Sequence, residues 1–518
     1  MVDGASDHIE VSRSTKVAPL SATVVRQRRF GIAAAIAWFS LVYLPVSVLF
    51  ALRKNFWNDE LFTYYIAGQP GIKAIWTALL AAADQNPPLF YWLTHWSMRV
   101  PGDSRLLLRL PELAAFWLLG VCLIAIVARY LPPAFGLVAA LLALTSGAYV
   151  YAYEARPYAL VLALAATAFT CWQRSGSSLW AIGLALSLAA AVSVHYYSVL
   201  LFVPFGLAEL VRTVSERRLR APVWIAMALG IIPLLCYLPL IKSNRKFATV
   251  FWGRPNAGSV QEFLFFALGS AIVPICLLAI WAGTRLLVFR PETGLEERRN
   301  NVTIPLCDFV CIASFIGLPL LAVVLARVVT GAYSHRYVIA AVIGLCIFIS
   351  CCFGRTARAK TGAALVAAAC LSLYFLVWQV HQLRWMERNN HLESALWLQK
   401  HAPSATRIGV LEPHIFFELW HQSPELRDRV FYVAEPAMAL RYIGTDAVDR
   451  GVLGMEPWVH FCVVPLRDFL ALKQPILLYS QGGAWSWLIP YLAQSGVPLS
   501  VVSADTHRTL WNADLRQK

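Results

Sequence analysis

The residues with the clearest chemical potential are two adjacent carboxylates, Asp59 and Glu60, in the stretch WNDELFTYY (57–65). A carboxylate beside apolar residues can act as a general base and take a proton from an attacking hydroxyl group. The same stretch fits a structural role, because Asn58 or Asp59 could cap a helix that starts near Leu61. Both roles stay open from the sequence, since a cap also fixes the direction of a carboxylate.

A second charged stretch, YAYEARPY (151–158), lies between two apolar segments. Charges such as Glu154 and Arg156 are costly at the edge of a membrane unless they are paired or face water. One interpretation is a structural pair between these two residues. The other is a site in which Arg156 binds an anion, because its planar fork of donors fits phosphate oxygens, and in which Tyr153 and Tyr158 line the same cleft.

A third stretch, YSHRY (333–337), again places an arginine among aromatic residues at the end of an apolar segment. Arg336 either extends its charged group to the membrane surface or helps to hold a phosphate. In the second case His335 and Tyr337 belong to the same site.

The fourth stretch, QNPPLFYW (85–92), joins two prolines to a run of aromatic residues. The prolines stiffen the chain, and aromatic rings are common where a protein meets the membrane surface. The stretch is therefore either a plain interfacial anchor or the rigid wall of a site that includes Asn86, Pro87 and Tyr91.

Membrane-spanning helices are the elements that must position these residues. The chain has 518 residues, of which 58% are hydrophobic and only 14% are charged, whereas soluble domains have roughly 25% charged residues. Apolar segments near the length of a bilayer crossing recur along its first three quarters. We predict a polytopic α-helical membrane protein with about eleven transmembrane helices, at 30–52, 110–128, 131–153, 157–173, 178–194, 197–211, 221–241, 263–284, 304–326, 337–353 and 361–380.

Basic residues set the predicted orientation. RQRR (26–29) precedes the first span, so residues 1–29 are predicted to be a cytoplasmic, disordered tail. The stretch 177–208 is too long for one crossing, and dividing it at His195 places three later basic loops in the cytoplasm. The predicted location is the cell (inner) membrane, multi-pass. The net charge of +15 then reflects cytoplasmic loops, and no basic module for binding nucleic acid is found.

The chain divides into two predicted domains after the tail. Residues 30–380 form a transmembrane domain whose first external loop, 53–105, holds short interfacial helices at 60–67 and 72–83. Residues 381–518 differ, because β-rich runs alternate with amphipathic segments. We predict a small C-terminal extracytoplasmic α/β domain with a largely parallel sheet there. Its strands are predicted at 407–411, 430–434, 460–464, 476–480 and 499–503.

The order of these motifs resembles the GT-C glycosyltransferases, in the branch of the bacterial relatives of protein O-mannosyltransferase and of the lipid A aminoarabinose transferase. The resemblance covers about 30–380 and rests on WNDE (57–60), NPPLFY (86–91), Arg109-Leu110-Pro111, EARPY (154–158) and Arg336-Tyr337. It implies a polyprenyl-phosphate-linked sugar as the donor. A hydroxyl group of a glycan, lipid or protein acceptor would attack the anomeric carbon at the outer face, with inversion.

The resemblance also implies roles for the residues. Asp59 resembles the catalytic base, and Glu60 resembles a supporting acid that shapes the site or binds a substrate. Arg156 and Arg336 would offset the charge of the leaving phosphate. The predicted substrate-binding residues are Glu154, Tyr158, Asn86, Pro87, Tyr91, His335 and Tyr337.

One basic segment lies outside in the predicted topology, although positive charge usually favours the cytoplasm. Its residues Lys242, Arg245 and Lys246 either help to bind the donor phosphate or contact anionic lipid headgroups. The eleven cysteines show no spacing for zinc, and the chain has no DxD-type acidic pair. We therefore expect no cofactor and no obligatory metal.

Two other classes of protein fit the membrane character. A transporter or flippase for a lipid-linked sugar would show internal repeats and charged or broken helices near mid-membrane, whereas the charges here gather at span ends. A non-catalytic scaffold would leave the acidic and arginine motifs at one predicted face unexplained. A transferase accounts both for the charges at the span ends and for the acidic and arginine motifs at one predicted face.

Overall fold

The computed structural model describes residues 22–245, 251–269, 272, 275, 304–388, 392–404, 406–483 and 485–517. Lys246 and most of the predicted span 263–284 therefore lie outside the described residues. The described chain has a helical part that ends with a long helix at Arg388, followed by a part built around a β-sheet. This confirms the predicted fold class of apolar helices with a small C-terminal α/β region.

The helical part has seventeen α-helices among the described residues. In chain order they are α1 (Ala22–Arg53), α2 (Asn58–Ala67), α3 (Ile72–Leu80), α4 (Pro88–Met98), α5 (Ser104–Val127), α6 (Pro133–Leu144), α7 (Tyr158–Gln173), α8 (Ser178–Val194), α9 (Phe202–Glu216), α10 (Ala221–Gly230), α11 (Ile232–Cys236), α12 (Leu238–Asn244), α13 (Ser259–Leu268), α14 (Leu306–Ile316), α15 (Leu318–Leu325), α16 (Ala341–Thr356) and α17 (Thr361–Arg388).

Single-turn or short 3₁₀ segments complete this part of the chain. They span Gly147–Ala152, Tyr196–Leu201 and His335–Val338, and a π-helical segment spans Ala326–Thr330. The turn at 335–338 holds Arg336, one of the predicted site residues. The turn at 196–201 directly follows His195, the residue that divides two of the predicted spans.

Every predicted span overlaps an apolar helix in the structure. Among the described residues, four helices are long and apolar enough to cross a membrane alone: Arg26–Arg53, Ser104–Val127, Tyr196–Glu216 and Thr361–Met386. Two bent pairs, α10–α12 and α14–α15 with the π-helical segment, raise the number to six. Five apolar helices are shorter, so the predicted count of eleven crossings and the orientation of the termini stay predictions.

The two bends have a backbone cause. The chain bends by 52° between α14 and α15, where Gly317 precedes Pro319. It bends by 55° before α12, whose second residue is Pro239. Proline has no amide hydrogen to donate and its ring clashes with the preceding turn, so a helix breaks or kinks there.

Helix α5 lies at the centre of the helical part and packs against α1, α6 and α7. Small residues allow the closest approaches. A Cβ atom added to Gly136 of α6 would lie 2.7 Å from the backbone oxygen of Ile124 in α5. One added to Gly120 of α5 would lie 2.2 Å from the Phe39 ring of α1. Helix α5 is thereby fixed on two sides, and its N-terminal part carries Arg109.

The C-terminal part is a six-stranded sheet flanked by helices. Its strands are β1 (Ile408–Val410), β2 (Val430–Ala434), β3 (Val463–Pro465), β4 (Pro475–Ser480), β5 (Leu499–Ala504) and β6 (Thr509–Asp514). Its helices are α18 (Leu392–His401), α19 (Pro413–Gln422), α20 (Pro436–Ile443), α21 (Ala447–Val459), α22 (Leu466–Leu470) and α23 (Leu488–Gln494), with 3₁₀ turns at Pro424–Leu426 and Leu515–Gln517.

The strand order is β3-β2-β1-β4-β6-β5. The first four strands are parallel, and β6 joins β4 and β5 in antiparallel pairs. All five predicted strands are present. The sixth, TLWNAD, was not predicted, because only Leu510 and Ala513 of this strand are buried and the polar residues Thr509, Asn512 and Asp514 interrupt its apolar pattern.

Candidate active site

The four sequence stretches with charged or aromatic residues meet at one end of the helical part. Asp59, near the start of α2, accepts a hydrogen bond from Arg336, with 2.9 Å between Oδ2 and Nη1. The Nε atom of Arg156 lies 3.9 Å from the same oxygen, and its Nη1 donates to the backbone oxygen of Asp59. One carboxylate thus faces two guanidinium groups from different parts of the chain.

Arg156 is held from a second side by Asp84, a residue that precedes the QNPPLFYW stretch. The Nη1 atom of Arg156 donates to Oδ2 of Asp84 over 2.7 Å. The guanidinium therefore bridges two carboxylates, and its exposed fraction is only 8%. A cation fixed in this way offers a defined position for a further anion.

Glu60 lies beside Asp59 but has a different environment. Both of its carboxylate oxygens accept from Arg109, at 2.7 Å each, and the side chains of both residues are fully buried. The backbone N–H of Ala155 also donates to Glu60. Glu60 thus ties α2 to α5 and to the 154–158 stretch, an arrangement that shapes the site without facing solvent. Arg109 donates further to the backbone oxygens of Ala51, Lys54 and Asn55.

Three structural alternatives considered for these residues are wrong. The residue before α2 is Trp57, and Asp59 does not cap the helix, because its carboxylate points to Arg336 instead. Glu154 and Arg156 do not pair with each other, since Glu154 binds Lys54. Arg336 does not extend to the membrane surface, because its side chain is only 16% exposed and is paired with Asp59.

Accessibility separates Asp59 from the other carboxylates of the cluster. Its side chain is 21% exposed, whereas that of Glu154 is 9% exposed and that of Asp84 is 10% exposed. Burial alone would raise the pKa of Asp59, but the charges of Arg336 and Arg156 outweigh it and hold the pKa below its ordinary value. Asp59 is therefore ionised and reachable, as a proton acceptor must be.

Aromatic rings surround the arginine side of the site. The guanidinium of Arg336 lies 5.6 Å from the ring centre of Tyr158 and 5.5 Å from that of Trp252. Tyr337 packs on His195, with ring centres 5.1 Å apart. Burial, followed by the charges of Arg156 and Arg336, lowers the pKa of His195 to about 3, so this ring stays neutral.

The other predicted site residues lie around this cluster at different distances. Asn86 and Pro87 are buried, and Pro87 directly precedes α4, whose first residue is Pro88. Tyr91 is fully buried within α4. His335 packs on the ring of Phe266, with 4.6 Å between ring centres. These residues form walls of the site, and the charge pairs lie at its centre.

The basic segment at the end of α12 approaches the same region from another side. Ser243 donates to the backbone oxygen of Leu80, and Asn244 donates to that of Gln85. Lys242 and Arg245 flank these two residues and are exposed. Within the described residues, neither forms an ion pair with the acidic residues of the cluster. Lys246 lies outside the described residues.

Sequence reasoning missed Asp84, Lys54 and the structural role of Arg109. Arg109 carried a usable signal, because it directly precedes the predicted span 110–128 and a charge so close to an apolar span needs a partner. Asp84 and Lys54 carried none, since single charges in loops are common and their partners are distant in sequence. Across the described part of the chain, no group of three or more His, Cys, Asp or Glu side chains is arranged to hold a metal ion.

Comparisons with known proteins agree with this architecture. Residues 85–241 match the family model described as dolichyl-phosphate-mannose-protein mannosyltransferase. The crystal structure of ArnT from Cupriavidus metallidurans in the apo state superposes with a TM-score of 0.56 at 13% identity, covering 93% of this chain and 98% of that one. The structure of the same protein bound to undecaprenyl phosphate gives a TM-score of 0.54 at 14% identity, covering 92% of this chain and 97% of that one.

No curated protein sequence matches the chain significantly. The matched residues 85–241 include Arg109, Glu154 and Arg156, but not Asp59 or Arg336. The likeness to ArnT extends over almost the whole length of both chains, including the C-terminal part. The expected architecture is thereby confirmed: the chain has the GT-C fold of ArnT, with a segment of its helical part that matches the mannosyltransferase family.

Proposed function

We propose that this protein is an inverting glycosyltransferase that moves a sugar from a polyprenyl-phosphate donor to an acceptor hydroxyl group at the outer face of the membrane. The observation that carries the proposal is the position of Asp59, an accessible carboxylate held against two arginines, of which Arg156 is buried and Arg336 is 16% exposed. Such a site contains a base and a binding position for an anion within a few ångströms. The match to a family named for a lipid-phosphate sugar donor supports the same reaction class.

The reaction needs little more than these groups. The acceptor oxygen forms a bond to the anomeric carbon, while the bond from that carbon to the phosphate oxygen breaks. The acceptor proton passes to a carboxylate oxygen of Asp59. The departing lipid phosphate gains one negative charge, which Arg336 and Arg156 stabilise by electrostatic interaction.

Binding of the donor would also change the base. In the structure described here, the charges of Arg336 and Arg156 lower the pKa of Asp59. A phosphate bound to the same guanidiniums shares their positive charge, so its arrival raises the pKa of Asp59 toward the ordinary range. The carboxylate then becomes a stronger base only when the donor is in place.

The lipid part of the donor fits the location of the site. The cluster lies at the ends of α5 and α7, where apolar helices give way to the 53–105 segment. A polyprenyl chain can stay in the membrane while its phosphate and sugar reach the charged cluster. The structure of ArnT with undecaprenyl phosphate is the precedent for a lipid of this class in this fold.

Sugar transfer by the full-length protein in liposomes tests the proposal. The donors are a panel of polyprenyl-phosphate sugars, and the acceptor is an extract of membrane lipids and glycans. The expected result is a sugar-modified acceptor together with an equal amount of released polyprenyl phosphate. Movement of intact donor across the bilayer without release of phosphate would overturn the proposal and favour a flippase.

A further inference from the structure

Helix α19 of the C-terminal part packs directly on α2, the helix that carries Asp59. Phe417 of α19 contacts Phe62 edge-on, with ring centres 5.5 Å apart, and stacks on Tyr65 at 5.6 Å. These rings form a contact between two elements that are more than 350 residues apart in sequence. The C-terminal part therefore packs against the helix that carries Asp59.

Glu418 makes the most specific contact of this interface. Its Oε1 atom accepts a hydrogen bond from the backbone N–H of Asn58 over 3.1 Å. Asn58 is the first residue of α2, and no side chain of the neighbouring sequence caps this helix. The first N–H groups of a helix have no partner within it and carry partial positive charge. Glu418 thus acts as a helix cap supplied by another domain.

Two further hydrogen bonds fix the same helix. The side-chain amide of Gln422 donates to the backbone oxygen of Phe56 over 2.8 Å, just before α2 begins. At the other end, the Tyr65 hydroxyl and His421 Nδ1 lie 2.7 Å apart. Helix α19 therefore holds α2 at its entry, its first residue and its last turn.

We infer that Glu418 is a positioning residue for the reaction: by capping α2 from the C-terminal domain, it fixes the direction in which Asp59 meets Arg336. Asp59 follows Asn58 directly, so a frayed first turn would move its carboxylate. The inference rests on the proposed function for its link to catalysis, but the cap itself can be measured separately. It also gives the C-terminal domain a role in forming the site.

The chemistry of Glu418 suggests a conservative variant. Burial raises the pKa of Glu418 to about 8, so the side chain is mostly neutral at pH 7. A neutral carboxyl group accepts the Asn58 hydrogen bond through its carbonyl oxygen. The amide oxygen of Gln can occupy the same position, so Glu418→Gln keeps the cap, whereas Glu418→Ala removes it.

Glu412 supplies a matched control from the same domain. It is a fully buried carboxyl group that accepts from Ser480 Oγ over 2.6 Å and from two backbone N–H groups of the following loop. It touches neither α2 nor the charged cluster in these contacts. Glu412 directly precedes α19, so Glu412→Gln changes a buried carboxyl group at the start of the same helix while the contact between Glu418 and Asn58 stays in place.

Hydrogen–deuterium exchange on the full-length protein in nanodiscs tests the cap without a substrate. Glu418→Ala is expected to speed exchange of the first turn of α2 about tenfold, the usual effect of losing a helix cap. Glu418→Gln is expected to stay within about twofold of the wild type. Unchanged exchange in Glu418→Ala, or equal acceleration in Glu412→Gln, would overturn the inference.

Transfer kinetics test the link to Asp59. Glu418→Ala is expected to lower kcat about tenfold with little change in the KM for the donor, and Glu418→Gln to restore it. In an Asp59→Asn background the Glu418→Ala change should add almost nothing, because the carboxylate it positions is gone. Full additivity would contradict the link. If the wild type transfers no sugar, the proposed function fails while the exchange result still decides the cap.

Discussion

Replacing Asp59 with Asn removes a negative charge and leaves the shape of the side chain almost unchanged. The amide oxygen of the variant can still accept a hydrogen bond from Arg336, whose Nη1 atom lies 2.9 Å from Asp59 Oδ2 in the wild type. The amide cannot take a proton from the acceptor. Loss of a general base lowers a rate by about 10²–10⁴-fold. We therefore expect kcat to fall by at least about a hundredfold, with the protein still folded.

The neighbouring Glu60 provides the contrast that makes this prediction sharp. Glu60→Gln also replaces one carboxylate oxygen, but it breaks a fully buried pair that makes two 2.7 Å bonds to Arg109. Removing one partner of a buried pair costs about 3–5 kcal/mol, which is a large part of the roughly 5–15 kcal/mol that stabilises a typical domain. We expect Glu60→Gln to lose thermal stability and yield before any selective loss of kcat.

Both variants should be measured in the same liposomes, with transfer rates at saturating donor and unfolding temperatures by intrinsic fluorescence. We expect Asp59→Asn to be stable and inactive, and Glu60→Gln to be unstable. A rate within about threefold of the wild type for Asp59→Asn would refute the assignment of the base. If Glu60→Gln were stable and lost more kcat than Asp59→Asn, Glu60 would be the base and Asp59 the structural residue.

Four other outcomes follow from the charges and the packing. In pH–rate profiles, the acid limb of kcat reports Asp59 in the enzyme with bound donor, and that of kcat/KM reports Asp59 in the free enzyme. The acid limb of kcat should lie at higher pH. Coincident limbs would contradict the idea that the donor phosphate and Asp59 share the same arginines. The pKa of Glu418 is raised from 4.5 to about 8, so between these pH values the folded state binds one proton that the unfolded state does not. The unfolding temperature should therefore fall as pH rises through this window. It should fall less in Glu418→Gln, which has no proton to lose at this position. Asp84→Asn weakens the contact that fixes Arg156 in place, so polyprenyl phosphate should bind about tenfold more weakly to a less ordered guanidinium; unchanged or tighter binding would contradict a positioning role for Asp84. Gly136→Ala should cost about 1–3 kcal/mol in chemical unfolding, because its methyl group meets the backbone of α5.

The sequence predicted the local elements well because their signals are local. Apolar segments marked the helices, and the runs VFYVA and ILLYS marked buried strands that the structure contains almost residue for residue. The bends at Gly317 and before Pro239 were not predicted, although proline is visible in the sequence. A kink changes the path of a span without changing its composition, so a search for apolar segments does not detect it.

The candidate site was predictable in its residue types but not in its pairings. Placing Asp59, Arg156 and Arg336 at one face needed only the ends of the spans. The pairings join side chains that are far apart in sequence. Arg156 and Asp84 are 72 residues apart, and Arg336 and Asp59 are 277 residues apart. No local pattern encodes such contacts, and the local pairing of Glu154 with Arg156 was wrong for this reason.

The pattern of pairing explains how one cluster can be both stable and reactive. Glu60 and Arg109 are fully buried and satisfy each other, so they have no capacity left for a substrate. Asp59 and Arg336 are paired too, but the side chains remain 21% and 16% exposed, so a stronger anion can reach the guanidinium. A phosphate that competes for Arg336 lowers the hold on Asp59 and strengthens the base at the same moment. In the proposed reaction the buried pair shapes the site and the partly exposed pair takes part in the chemistry, because only a pair that the donor can separate responds to donor binding.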